Sequence, residues 1–297
     1  MTENNITERG KSSLLTDIKL LVKFRVLIAN VLPVIAGLWL VVQFHNISWD
    51  ENWGMVLLTL VGSTLVIAGA LIINNWYDAD IDTVMERTKS RPTVTGRFPL
   101  SVVLLIGWMT SIIGFILLFF TNWQVVFYSF IGWFTYVFPY TMWTKRKYTW
   151  NTIIGSVSGA VTPLIGWAAF ASVWHLVPIA LVLMLFFWQM PHTYVIAIRK
   201  FDEYKAAGVT MLPVVKGLQV TKRMMLIYVL CLLPLPFLLS SLGLVYVVVI
   251  SVLNIIWLVM IIRGFSSKDE FKWAEQNFIF SVNYLMIVFL LAIIVTI

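Results

Sequence analysis

The chain has 297 residues, 60% of them hydrophobic and only 12% charged, which excludes a soluble globule of this size because too little polar surface is available. A net charge of +7 would suit nucleic acid, but the basic residues gather at the ends of apolar runs, which sets that partner aside in favour of a lipid bilayer. The single cysteine, Cys231, lies in an apolar run, so neither an intrachain disulfide nor a multi-cysteine metal site is expected.

Residues 1–18 open with a stretch rich in Asn, Glu and Ser and are expected to form a flexible cytoplasmic tail, leaving 19–297 as one transmembrane domain. Nine apolar segments follow, at 22–44, 53–76, 100–121, 124–143, 152–171, 176–198, 224–242, 246–262 and 278–297. Each is near the ~20 residues that a helix needs to cross hydrocarbon. The runs are continuously apolar rather than alternating, so the expected fold class is an all-α polytopic membrane bundle of nine helices, not a barrel. The first run is too long for a signal-peptide core and lacks a small-residue cleavage site, so it is expected to remain as the first helix.

All 21 Lys and Arg residues fall on one side of this nine-helix arrangement: before or within the start of the first helix, and after the second, fourth, sixth and eighth. That bias predicts a multi-pass protein of the cell membrane with a cytoplasmic N-terminus and an external C-terminus. The outer turns then lie near Asn46, Asn122, Ser172 and Ser241. The two long inner loops, 77–99 and 199–223, are where function should concentrate. Each follows an apolar run and carries acidic and basic residues, which suggests a weak internal pseudo-repeat.

The first loop begins inside Asn74-Asn75-Trp76-Tyr77-Asp78-Ala79-Asp80-Ile81-Asp82. If the helix continues, Asn74, Asp78 and Asp82 stand at i, i+4 and i+8 on one face. Two carboxylates repelling each other beside an apolar bundle need a cation, and an all-oxygen set suits Mg²⁺ shared with phosphate oxygens. Glu86-Arg87-Thr88-Lys89-Ser90-Arg91-Pro92 follows at once, and its Arg87, Lys89 and Arg91 are able to hold those oxygens or to anchor on anionic lipid. Asp80 faces away from the row. The plain alternative is a solvated acidic loop with Asn74 as a packing residue.

A second constellation ends the sixth run: Trp188-Gln189-Met190-Pro191-His192-Thr193-Tyr194, then Arg199, Asp202 and Lys205. Gln189 and His192 sit at membrane depth, where unpaired polarity is costly, so they are expected to line a cavity. A hydrogen-bonded structural histidine is the competing reading of His192. At the inner end of the fourth run, Tyr140 and Lys145 read either as site residues or as an interfacial belt. Gly155 and Gly159 form a GxxxG spacing, read as close helix packing.

These residues resemble the UbiA-type intramembrane prenyltransferases, whose first aspartate motif has the form N-x-x-x-D-x-x-x-D, matched by Asn74, Asp78 and Asp82. Within that family the chain is similar to the haem-farnesylating branch, through Met85, Arg87, Thr88, Arg91 and Pro92, W-Q-M-P-H at 188–192, and A-G-x-x-M-L-P-V-V at 207–215. It departs from many members in having Ala206 where a second D-x-x-x-D would follow Asp202. Phe24 stands in place of a proline at the entry to the first helix, and Val161-Thr162-Pro163 replaces a doubled proline.

The resemblance implies farnesyl transfer from farnesyl diphosphate to a vinyl group of haem B, with water addition and release of diphosphate. It implies Mg²⁺ on Asn74, Asp78 and Asp82, a catalytic role for this row and His192, and substrate contacts from Arg87, Lys89, Arg91, Tyr140, Lys145, Trp188, Gln189, Tyr194, Arg199, Asp202 and Lys205. It also implies hand-off to haem A synthase. The competing functions are a relative acting on an aromatic quinone precursor and a non-enzymatic transporter or haem chaperone.

Overall fold

Apolar runs that must satisfy their own backbone in lipid become helices, and no strand forms among the residues described, 13–297, in this computed structural model. Residues 1–12 of the expected tail lie outside the described residues. From Ser13 the chain enters α1 (Leu14–Leu21), which Ser13 caps by accepting from the Thr16 N–H at 3.2 Å. Next come α2 (Phe24–Phe44), α3 (Trp49–Tyr77), α4 (Ala79–Asp82), α5 (Pro92–Thr95), α6 (Leu100–Phe119) and α7 (Trp123–Thr135). They are followed by α8 (Asn151–Ala160), α9 (Thr162–Trp167), α10 (Leu176–Arg199), α11 (Phe201–Ala206), α12 (Leu212–Leu232), α13 (Leu235–Leu238), α14 (Leu244–Arg263) and α15 (Glu270–Ile294).

Seven of the described helical spans are long and apolar enough to cross a membrane unaided: α2, α3, α6, α10, α12 with α13, α14 with its closing turn, and α15. This corrects the expected nine, although the class is unchanged. The remaining two expected spans are interrupted. α7 passes into a π-helical stretch, Tyr136–Thr144, that contains Pro139. A proline cannot donate to the helical ladder, and here the bonds slip to i→i+5, as from Lys145 N–H to Tyr140 O at 3.0 Å. The segment at 152–171 breaks at Val161, where Pro163 starts α9 and its own N–H is missing.

The second inner loop is also shorter than expected. α12 begins at Leu212 rather than 224 because Pro213 suits a first helical turn, and Gly217, at φ 80° and ψ 169°, then breaks the helix.

α10 stands centrally, packed by α8, α9, α12, α13 and α15. α6 and α14 are peripheral and turn Leu105, Ile112 and Phe119, and Val248, Val252 and Ile256, outward. Such apolar exteriors fit a hydrocarbon solvent.

α2 and α9 touch backbone to backbone. A Cβ on Gly166 would lie 2.0 Å from Val34 O, and one on Gly37 2.1 Å from Pro163 O. Gly166→Ala should therefore destabilise the bundle by about 2 kcal/mol, read as a lower thermal midpoint in detergent. An unchanged midpoint would show that α9 can retreat at no cost.

The two ends of the bundle differ. At one end, ion pairs join α1 to the turn after α5 (Asp17 and Arg97, 2.9 Å), α10 to α15 (Arg199 and Glu275), and α12 to α15 (Lys222 and Glu270, 2.6 Å). At the other, Trp167 stacks on His175 with centroids 4.9 Å apart, and Asn122 Nδ2 donates to Ala168 O at 2.8 Å.

Candidate active site

The acidic row forms as its spacing predicts. α3 ends at Tyr77, yet the i→i+4 bonds continue from Asp78 N–H to Asn74 O and from Asp82 N–H to Asp78 O, each 2.9 Å. Asn74, Asp78 and Asp82 thus share one face. They are 1%, 1% and 3% exposed, which removes the reading of a solvated acidic loop.

Each member of the row meets a cation from a different element. Lys23, at the junction of α1 and α2, donates to Asn74 Oδ1. Lys145, after the π-helical stretch, pairs with Asp78 Oδ2. Arg91, just before α5, pairs with Asp82 Oδ2. Lys23 adopts φ 47°, a left-handed conformation uncommon for a residue with a side chain. The bend between α1 and α2 and the aim of its ammonium arise together there. The slip in the π-helical stretch does the same for Lys145, and Thr141 in that stretch accepts from Asn74 Nδ2 at 3.0 Å. Lys145 therefore turns inward rather than toward lipid headgroups.

Three cations, Arg91 buried and Lys23 and Lys145 half-buried, stand against two buried carboxylates and leave a local excess of positive charge. Burial pushes the Lys23 ammonium well below its ordinary pKa, and Arg91 and Lys145 push it in the same direction. Burial also lowers Lys145, but Asp78 and Tyr140 outweigh it and hold that ammonium at about 12. An anion with several oxygens would relieve the repulsion among Lys23, Arg91 and Lys145.

Oδ1 of Asp78 is buried and accepts no hydrogen bond, with Arg146 at 3.9 Å. Among the described residues no group of three or more His, Cys, Asp or Glu gathers. The donor set is two carboxylates and an amide, all oxygen. It fits a hard divalent cation that takes its other ligands from phosphate and water.

The remaining expected residues divide between this site and its surroundings. Asp80 lies outside the row, with both oxygens on the Arg146 guanidinium at 2.7 Å. Arg87 is exposed, and Lys89 is exposed and paired with Glu86 at 2.6 Å. Asp202 and Lys205 are exposed on α11. Arg199 pairs with Glu275 and lies over the Phe278 ring at 4.3 Å. The two constellations meet through a small apolar cluster, Ile81 with Ala197, Val209 and Met211, which packs the end of the row against the inner end of α10.

Directly inward of the row is a cavity of about 190 Å³, lined by α2, α3, α7, the π-helical stretch, α8, α9 and α10. Ala70 and Leu71 line it one turn before Asn74, and Tyr140 lines it one turn before Lys145. Gln189 and Thr193 project into it from α10. His192 occupies another face of that helix. Its Nδ1 is 2.8 Å from Ser281 Oγ, and its ring stacks on Trp188 at 4.6 Å and Phe278 at 5.6 Å. Trp188 donates to Ser281 O at 2.8 Å, and Tyr194 is buried in the main core. Thus Gln189 and Tyr140 are brought to the cavity, whereas His192, Trp188 and Tyr194 are not among its lining residues.

Gly155 and Gly159 prove to be receptors for side chains. An added Cβ would stand 2.9 Å from Tyr140 Cδ2 at the first and 2.5 Å from Gln189 Oε1 at the second. The spacing read as helix packing instead seats two polar groups of the cavity wall.

Lys23, Asn75, Thr141 and Arg146 escaped assignment from sequence. Asn75 donates from its Nδ2 to Leu21 O at 2.6 Å and ties α3 to the end of α1. The basic residue at the entry to the first helix was the available signal for Lys23, and a proline in the fourth apolar run was the signal for the π-helical stretch.

The UbiA prenyltransferase family model matches residues 30–283. The chain belongs to this family. It is 50% identical over 98% of its length to a protoheme IX farnesyltransferase of Oceanobacillus iheyensis, covering 93% of that protein. It is 46% identical over 99% of its length to one of Bacillus cereus, covering 96% of it. Among solved structures, it superposes on a digeranylgeranylglyceryl phosphate synthase with a TM-score of 0.74 at 21% identity, over 95% of this chain and 98% of that one. A UbiA homolog from Archaeoglobus fulgidus bound to DMAPP and Mg²⁺ gives 0.70 at 17% identity, over 93% and 99%. The family model and these structural likenesses agree on the UbiA fold.

Proposed function

We propose that the chain transfers the farnesyl group of farnesyl diphosphate to a vinyl group of haem B and adds water, giving haem O and diphosphate. The observation that carries the transferase chemistry is the buried row of Asn74, Asp78 and Asp82, ringed by Lys23, Lys145 and Arg91 at the mouth of a cavity. The names of the relatives at 50% and 46% identity support haem as the acceptor.

The surplus of cations binds diphosphate and compensates its charge as the allylic C–O bond breaks. A divalent cation such as Mg²⁺, held by Asp78 and Asp82 with Asn74, would supply further charge stabilisation of the leaving group. In this reading Arg87 and Lys89, both exposed and a few residues after the row, meet the substrate as it enters. Positive charge developing on farnesyl faces the Tyr136 and Tyr140 rings, which lie 5.5 Å apart and both line the cavity. Enclosure by apolar helices limits attack by bulk water before the vinyl group reacts. The reading places the row at the cytoplasmic side of the cell membrane, because the basic residues cluster at that end. Hand-off of haem O to haem A synthase belongs to the same reading.

Incubation of purified protein with haem B, farnesyl diphosphate and Mg²⁺, followed by mass measurement of the haem product, tests the assignment. Haem O is expected. Unmodified haem beside a prenylated aromatic acid would overturn it. Chelation of divalent cations should reduce turnover to background and added Mg²⁺ should restore it, whereas activity that survives complete chelation would remove the metal from the reading.

A further inference from the structure

Five polar side chains that line the cavity have already spent their hydrogen-bond donors. Gln189 Nε2 donates to Ser156 O at 3.1 Å and to Leu185 O at 3.2 Å. Ser156 Oγ donates to Thr152 O at 2.7 Å, Ser158 Oγ to Gly155 O at 2.6 Å, Thr162 Oγ1 to Gly159 O at 2.7 Å and Ser63 Oγ to Leu60 O at 3.2 Å. What they offer the interior is lone pairs.

Ser129, Tyr136 and Tyr140 line the same cavity with hydroxyls able to donate, so the acceptor character is local to the part of the wall around Gln189 and Ser156, and that part handles water in one way. The molecule must donate its hydrogens to the wall, which turns its own lone pairs toward the centre of the cavity. That is the orientation in which water attacks an electron-poor carbon. A wall of donors would direct the hydrogens inward and hinder the attack.

We infer that Gln189 Oε1 and the Ser156 hydroxyl hold the water molecule that becomes the hydroxyl group of the product. The inference rests on the haem O reading. Gln189 is anchored through both its N–H bonds, and Gly159 leaves the space its Oε1 occupies. The pair lies inward of Tyr140, which abuts Gly155 one turn before Gly159 and is itself one turn from Lys145. That is roughly two turns from the row, on the order of 10 Å, in line for a diphosphate, the allylic carbon and the two vinyl carbons.

The electrons balance as follows. The allylic C–O pair leaves with diphosphate, and the vinyl π pair forms the new C–C bond through its terminal carbon. The vinyl carbon attached to the porphyrin becomes electron-poor, and the water oxygen bonds to it. The oxygen, now bearing three bonds, gives up one proton, and the released diphosphate is the base that finally takes it. Without an oriented water the same carbon is quenched by losing a proton from its neighbour, and the product is lighter by one water.

The test uses the full chain with haem B, farnesyl diphosphate and Mg²⁺, and compares wild type with Gln189→Leu and Ser156→Ala by mass spectrometry of the haem products. The readout is the ratio of hydroxylated to unhydrated farnesyl haem, which a general loss of packing or rate does not move. The ratio should fall roughly tenfold in Gln189→Leu, as for one lost hydrogen bond, and less in Ser156→Ala. Should Gln189→Leu fail to fold, the Ser156→Ala ratio decides. An unchanged ratio beside normal haem O formation by wild type would overturn the water site alone. Absence of haem O from wild type would overturn the haem reading and the water site together.

Discussion

Asp78→Asn is expected to lower farnesyl transfer by roughly a thousandfold while the protein remains folded and inserted. Asp78 is the centre of the row: its neighbours Asn74 and Asp82 are bonded to its backbone on either side, Lys145 holds Oδ2, and Oδ1 is buried without a hydrogen-bond partner. The amide keeps the shape but removes the charge that a divalent cation needs. It also strips Lys145 of the carboxylate that, with Tyr140, holds it protonated against burial. Asp80→Asn is the matched control. Its side chain is 64% exposed and meets only the rim arginine, Arg146, in an ion pair, so its effect should stay below about fivefold. Initial rates of haem product formation in the two variants decide the matter, and equal losses would overturn the division between row and rim.

Lys222→Met should cost about 3 kcal/mol of stability, the largest such effect expected outside the site. Lys222 is fully buried. Its ammonium donates to Gly264 O and to Glu270 Oε1, both at 2.6 Å, and lies 5.2 Å from the Trp273 ring centroid. It ties α12 to the turn after α14 and to the start of α15. Methionine fills the same channel but leaves the Gly264 carbonyl and the Glu270 carboxylate without their donor. Denaturation in mixed micelles, followed by helix signal, measures the loss, and a midpoint within error of wild type would show that water or another cation replaces the ammonium. From sequence, Lys222 was one of the basic residues in an inner loop.

That example shows the limit of reading charge along a chain. Charged residues at helix ends could be expected on one side of the bilayer, since lipid excludes them from the segments between. Which of them turn inward depends on partners distant in sequence. Lys145 reaches Asp78 and Lys23 reaches Asn74, and neither pairing is encoded in local spacing. The row itself was legible because its three members lie on one helical face, a strictly local property.

The helix count failed where the backbone departs from a regular α-helix. Hydropathy at 124–143 and 152–171 is that of a span, but Pro139 and Pro163 interrupt the ladder, and hydropathy is blind to hydrogen-bond register. The same π-helical stretch that spoils the count delivers Thr141 and Lys145 to the row. Polar residues at membrane depth on α10 were likewise visible, yet their division was not. Gln189 and His192 are three residues apart, and only the packing of α8 and α15 sends the first to the cavity and the second to Ser281.

By itself, then, the sequence determined that this protein is a helical membrane bundle and that Asn74, Asp78 and Asp82 form one oxygen-bearing face. Those properties follow from composition and from the 3.6-residue period, which act within a single helix. The tertiary structure alone decided which cations enclose that face and which polar groups wall the cavity behind it. Both depend on contacts between helices far apart in the chain, and the free energy of a buried charge is set by its partners rather than its neighbours in sequence.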